Sequence, residues 1–337
     1  MTDIQRQPII GKSVWKAANF ADNSGRDKNQ DSIWCHHLTT AEIAACDAML
    51  ASLKSRGLAF PQIKQSDIAK PDIVTGALAE LLDSLTDELE NGLGFKLLRG
   101  LPIARYSDDD INTLFYAIGL YMGQPVCQNP KGDLLGNVMN VGDITRKDTR
   151  VYETSLYLPY HTDPSDVVGL LSVRKAKSGG MSSLVSAAAI YNAILERRPD
   201  LLDIYYQQFC YAHLGEDKTS PIFSFHHGKL SCRYLRQYIE LGYEQMGVPL
   251  SPLVKEALDV FDEIMMSPDM RIDMMMEPGD MQFANNYMVL HSRTAFDDHD
   301  EKDLWRKKLR LWLKMENARL LAPEFPGRNG FGVPAYL

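Results

Sequence analysis

The sequence predicts a mixed α and β fold: a barrel or sandwich of short strands inside a jacket of helices. Three observations support this. Short apolar runs separated by turn residues crowd the stretch from Leu134 to Leu313, as in closed or sandwiched antiparallel folds. Leucine stripes at helical spacing gather ahead of them, between Thr39 and Gly123. The phosphate loops Gly-x-Gly-x-x-Gly and Gly-x-x-x-x-Gly-Lys are both absent, which argues against a doubly wound sheet.

In chain order, residues 1–40 are polar, broken by glycine and asparagine, and read as an irregular extension. Thr39 and Glu42 form a capping-box pattern, in which each side chain satisfies a backbone donor at the start of a helix. Ile43, Cys46, Leu50 and Leu53 then mark one apolar face. A second helix is expected from Pro71 to Glu90, with Gly92 as its stop, and a third after Ser107, ending at Gly123. Phe95–Gly100 reads as a short strand.

Strands are then expected at Leu135–Val141, at Val151–Tyr157 running on into His161, and at Val167–Val173, whose unbroken apolar character fits a buried strand. Ser182–Val185, Ile272–Met276, Met281–Phe283, Tyr287–His291 and Leu309–Leu313 complete the set. A helix follows Ser186, and another follows Ser251-Pro252, where proline at the first helical position loses no bond. Residues 315–337 form a Pro/Gly-rich tail. With no repeat, low-complexity linker or charge run, 1–337 reads as a single domain.

The formal net charge of −8 argues against a nucleic-acid partner, which a basic stripe would meet. Cys35, Cys46, Cys127, Cys210 and Cys232 are scattered and odd in number, so they suggest neither a disulfide framework nor a zinc site, and they fit a reducing compartment. No apolar run marks a signal peptide or a membrane span. The expectation is a cytoplasmic protein acting on a small molecule, with a homo-oligomer compatible with the sequence.

The chemistry centres on Leu158-Pro159-Tyr160-His161-Thr162-Asp163. Residues two apart on a strand face one side, so His161 and Asp163 can grip one ion. A lone His-x-Asp is more often a surface pair, so a third ligand is needed. His36, His37 and His299 lie in polar or acidic loops, while His213, His226 and His227 lack a partner pattern and read as structural or as pocket lining. His291 ends an apolar strand after Asn285-Asn286. With His161 and Asp163 it makes a two-histidine, one-carboxylate set suited to Fe(II), because positions stay open for oxygen chemistry. A zinc hydrolase using the same three ligands, or a non-catalytic jelly-roll binding module, are the alternatives.

His161-Thr-Asp163, the distant Asn-Asn-x-x-x-x-His291-x-Arg, and Arg306 and Arg310 beyond it resemble the TauD/TfdA family. These are Fe(II)- and 2-oxoglutarate-dependent dioxygenases, relatives of taurine dioxygenase and clavaminate synthase. The resemblance covers about Gly94 to Leu313 and implies a double-stranded β-helix (jelly roll) core with surrounding helices. It implies His161, Asp163 and His291 as iron ligands, with 2-oxoglutarate and O2 as cosubstrates. Arg306 would hold the far carboxylate of 2-oxoglutarate, which a planar two-pronged cation suits. Ser182 would assist, although Gly179-Gly180-Met181-Ser182 departs from the family's Gly-Gly-acid-Thr. Arg310 would meet an anionic group of the substrate, with Tyr160 and Tyr152 as further pocket residues, and Arg293 is read as mainly structural. The implied reaction is hydroxylation, desaturation or cyclisation of a small anionic or amino-acid-derived substrate.

Overall fold

A computed structural model of the chain describes residues 4–23, 32–68, 73–129, 131–142, 153–212, 219–327 and 330. The expected helix start at Pro71 and the residues Val151, Tyr152 and His213 lie outside the described residues.

Two sheets, antiparallel except for one parallel edge pair, form the core. The larger orders its strands Cys35–His37, Phe95–Arg99, Met281–Asn285, Val167–Arg174, Lys307–Met315 and Gly123–Pro125, with Leu135–Val138 also paired to Lys307–Met315. The smaller orders Arg271–Met274, Ser182–Ser186, Val289–Arg293 and Leu158–His161. Phe95, Leu97, Val168, Ala284 and Trp312 of the larger sheet pack with Leu184, Ile272, Met274 and Val289 of the smaller in one buried cluster. This is the jelly-roll core that the strand pattern and the resemblance led one to expect.

Strand periodicity divides the chemistry. On Lys307–Met315, Leu309, Leu311 and Leu313 face the helices Thr40–Ser55, Gly76–Asn91 and Asp108–Met122, while Lys308, Arg310 and Trp312 take the alternate face, between the sheets. Each fully buried leucine contributes about 1.5–3 kcal/mol. Three of them help offset the several kcal/mol that burying cations on the opposite face costs. The smaller sheet is covered outside by the helices Ala187–Arg197 and Pro252–Met266 and by the hairpin of Phe223–His226 and Lys229–Cys232.

The expected caps form. Thr39 Oγ1 accepts from the Glu42 amide at 3.2 Å and Glu42 accepts from the Thr39 amide at 2.7 Å. Ser107, Ser186 and Ser251 cap Asp108–Met122, Ala187–Arg197 and Pro252–Met266 in the same way. Among the described residues, no helix is long and apolar enough to cross a membrane.

Three differences from the sequence expectation have physical causes. Cys35–His37, expected as loop, pairs in parallel with Phe95–Arg99; a three-residue strand is too short to show periodicity, and His36 is held by Glu42 at 2.9 Å. Trp15 and Phe20, also in the stretch expected to be irregular, are buried and pack their rings on Phe95. Residues 153–157 are not strand, and pairing begins only at Leu158; Arg293 bonds the Leu156 carbonyl and the Phe296 amide bonds the Ser155 carbonyl, so side-chain and loop contacts replace a ladder. Gly123 stops the helix Asp108–Met122 as expected and also begins the edge strand Gly123–Pro125, where a Cβ would lie 2.5 Å from the Lys314 carbonyl oxygen.

The turn before Met281–Asn285 depends on Gly279, whose φ is +89° and whose missing Cβ would lie 2.0 Å from the Leu101 carbonyl oxygen. Gly279→Ala is expected to destabilise the fold by about 1–3 kcal/mol or more, seen as a lower midpoint in thermal unfolding; an unchanged midpoint would contradict the tight turn.

Candidate metal centre and cosubstrate pocket

The antiparallel pairing of Val289–Arg293 with Leu158–His161 sets His291 directly opposite His161. Their ring centroids lie 4.3 Å apart. Asp163 is not on the strand, as the sequence reading had it, but in the turn just beyond it. Asn286 holds that turn: its side-chain oxygen accepts from the Asp163 amide at 3.0 Å, and its side-chain nitrogen donates to the Ser165 carbonyl at 3.1 Å. Thr162 is tied to Tyr234 by bonds in both directions, at 3.0 and 3.3 Å.

One ligand atom from each of His161, Asp163 and His291 lies within 4.8 Å of the other two. His161 Nδ1 donates to the Pro159 carbonyl at 2.8 Å. A carbonyl only accepts, so the proton is on Nδ1 and the Nε2 lone pair faces inward, 3.7 Å from Asp163 Oδ1. His291 Nε2 is 3.5 Å from Asp163 Oδ2. Burial, reinforced by His291, lowers the His161 pKa to about 4, so the ring is neutral near pH 7. Burial alone would raise the Asp163 pKa, but the hydrogen bond from His291 and the charge of Arg310 outweigh it and hold the carboxyl well below the usual range. An inward lone pair and an ionised carboxylate at non-bonded distances are what a divalent cation satisfies, and the N, N, O donor set matches a facial site.

A pocket between the sheets opens onto these three residues and is also lined by Ser182, Arg293, Arg306, Lys308 and Arg310, with Val138, Leu158, Val168 and Leu170 as its apolar walls. Arg306 is buried, and its Nη1 has no partner among the described residues. Burial, with Arg293 adding to it and Asp298 opposing, lowers the Arg306 pKa to about 9, which leaves the guanidinium charged near pH 7. A buried, charged donor with nothing to bond is costly; a carboxylate entering the pocket would relieve that cost, so the lining fits an anion. Gly180, with φ +74°, leaves room beside the Arg306 side chain, since a Cβ there would sit 3.4 Å from Arg306 Nε. Ser182 lies on the strand next to Arg293. Arg310 Nε donates to Gln128 Oε1 at 2.8 Å, and its guanidinium stacks 4.5 Å from the Trp312 ring.

The structure therefore brings together His161, Asp163, His291, Ser182, Arg306 and Arg310. It does not bring in Tyr160. One residue before His161, Tyr160 faces the opposite side of the strand, packs in the cluster beneath the helices and bonds Ser183 through its hydroxyl. Its assignment to the substrate pocket is corrected by the alternation of side chains along a strand. Arg293, expected to be mainly structural, lines the pocket, with burial lowering its pKa to about 10. Sequence reading missed Lys308, although it stands two positions from both Arg306 and Arg310 and shares their face. It also missed Trp312, whose Nε1 donates to Asp163 Oδ2 at 2.8 Å; no local pattern signals that contact.

The fold and this donor set define a non-haem iron oxygenase architecture. A model of the family described as taurine catabolism dioxygenase TauD, TfdA family, matches residues 59–307. FR-33289 synthase of Streptomyces rubellomurinus (strain ATCC 31215) is 31% identical over 331 residues, covering 95% of this chain and 94% of that protein. Taurine hydroxylase-like protein SAT17 of Stachybotrys chartarum (strain CBS 109288 / IBT 7711) is 28% identical over 282 residues, covering 79% and 71%. Among solved structures, asparagine oxygenase with Fe(II), 2S,3S-3-hydroxyasparagine and succinate superposes at a TM-score of 0.67 with 14% identity, covering 83% of this chain and 93% of that one. Non-heme iron oxygenase OrfP with Fe and alpha-ketoglutaric acid superposes at 0.64 with 15% identity, covering 84% and 94%. The chain belongs to the TauD/TfdA family and is an Fe(II)- and 2-oxoglutarate-dependent oxygenase.

Trp312→Phe keeps the ring but removes the donor to Asp163. Loss of such a supporting bond typically weakens metal binding about 10–100-fold. Fe(II) titration under anaerobic conditions measures it; unchanged affinity would mean that the indole does not orient the ligand.

Proposed function

We propose that this oxygenase hydroxylates a carbon of a small anionic or amino-acid-derived substrate, with His161, Asp163 and His291 as its iron ligands. The observation that carries this reading is the pocket itself, where three convergent side chains that could hold a metal share one cavity with the Arg306 guanidinium, whose Nη1 has no partner among the described residues. In this reading Arg306 and Ser182 seat the far carboxylate of 2-oxoglutarate, and Arg310 meets the substrate's anionic group, such as a carboxylate or sulfonate. Hydroxylation is favoured over desaturation or cyclisation because the asparagine oxygenase and OrfP structures are described with hydroxylated amino acids. The same reading takes 1–337 as one catalytic domain and the protein as cytoplasmic.

Bound iron supplies the oxygen chemistry that decarboxylates 2-oxoglutarate to succinate and oxidises the substrate carbon. The chain's own residues supply position and shielding. The Pro159 carbonyl fixes the His161 tautomer, and Trp312 and Asn286 fix Asp163, so the ligand set is pre-arranged rather than assembled on binding. The apolar walls limit water near the oxidised carbon. Gln128 and Trp312 hold the Arg310 guanidinium at the metal end of the pocket, where its charge already acts on Asp163 and His161.

Adding Fe(II) and 2-oxoglutarate without oxygen is expected to give a weak visible charge-transfer band, absent in His161→Ala. No band, with zinc copurifying, would overturn the reading in favour of a hydrolase. A succinate-release screen against carboxylates, sulfonates and amino acids identifies the substrate. Once it is known, Arg310→Leu should raise its KM by about 10–100-fold, the worth of one hydrogen bond to a charged group; an unaltered KM would remove Arg310 from substrate recognition.

A further inference from the structure

Lys308 lies between Arg306 and Arg310 on the wall of the pocket and is buried. Its Nζ meets Met276 Sδ at 2.8 Å, and Ser182 Oγ reaches the same sulfur at 3.7 Å. The ammonium and the hydroxyl therefore converge on one point. A thioether is a weak acceptor and does not compensate the desolvation of an ammonium. Among the described residues no carboxylate forms an ion pair with Lys308; the nearby Asp280 is engaged by Arg99 at 2.8 Å and by the Glu277 amide at 2.9 Å. A methionine would fill this position without that cost, so the lysine needs a partner that the described residues do not provide.

We propose that Lys308 is a third donor, beside Arg306 and Ser182, to the far carboxylate of 2-oxoglutarate. The inference rests on the reading that Arg306 and Ser182 face that carboxylate. Two placements favour this end of the pocket over the metal end. Lys308 shares the Met276 contact with Ser182, whereas Arg310 leans away onto Gln128 and Trp312.

The charged groups around Lys308 are Arg306 and Arg310 on its own strand, Arg293 across the pocket, Asp298 against Arg306, and Asp280 at the turn behind it. Burial holds its pKa well below the usual lysine range, with Arg306 and Arg293 acting in the same direction and Asp280 opposing. A carboxylate placed beside it raises the pKa again, so the charged amine and the bound carboxylate stabilise each other.

Calorimetric titration of the anaerobic, Fe(II)-loaded full chain near pH 7, where Arg306 remains charged, tests this. The probes are 2-oxoglutarate and 2-oxobutyrate, which lacks the far carboxylate. Lys308→Met is expected to weaken 2-oxoglutarate about 10–100-fold and to leave 2-oxobutyrate unaltered. Arg306→Leu serves as the reference. If Arg306→Leu weakens 2-oxoglutarate and Lys308→Met does not, the inference is overturned while the cosubstrate site stands; if neither does, the site reading itself fails. Should Lys308→Met not fold, Lys308→Leu is titrated with the same two probes, and an unaltered 2-oxoglutarate affinity overturns the inference.

Discussion

The antiparallel register that faces His291 across to His161 is the constraint on which the site depends. A slip of one residue would turn every side chain of a strand to the other face, replacing His291 with Leu290 or Ser292 and exposing the apolar partners of the Ala187–Arg197 helix. The hydrophobic cluster under that helix, which holds Leu290 and Tyr160, therefore fixes the histidines as firmly as any polar contact does. Asn286 and Trp312 then add the carboxylate, one from the turn that precedes His291 and one from the opposite sheet. The candidate metal centre is the point where the two sheets meet.

The strand Lys307–Met315 joins stability to chemistry. Its leucine face anchors three helices, and its other face carries the residues that give the pocket its charge. Because one backbone serves both, the cations cannot move relative to the core without loosening it. This is the pre-arrangement that anion recognition in a dry site requires: donors already in place and not yet satisfied.

Much of this was legible in the sequence where spacing carries the signal. His161, Asp163 and His291 could be grouped by residue type, and the capping residues Thr39, Ser107, Ser186 and Ser251 marked true helix starts. What escaped reading is set by contacts far apart in the chain. Trp312 looks like core packing until it is found against Asp163, and Cys35–His37 is too short to betray pairing with Phe95–Arg99. Tyr160 shows the opposite error, since proximity in sequence to His161 suggested the pocket while strand alternation put it on the other side. Lys308 was visible as part of Arg306-x-Lys308-x-Arg310, yet only its burial distinguishes it from a surface lysine.

Charge balance gives these pieces a common logic. Among the described residues Arg306 Nη1 is buried without a partner, the Lys308 ammonium bonds a thioether, and Asp298 supplies one carboxylate against Arg293 and Arg306. At the other end, the Asp163 carboxylate and the His161 lone pair face each other with no proton between them. The pocket thus has an excess of donors at one end and of lone pairs at the other. A molecule with a carboxylate to offer the donors, bound beside a cation that takes the lone pairs, cancels both. Such complementarity favours the two binding together, because each removes a field that penalises the protein alone. The fold tolerates the uncompensated state because the leucine and aromatic clusters on both outer faces outweigh it.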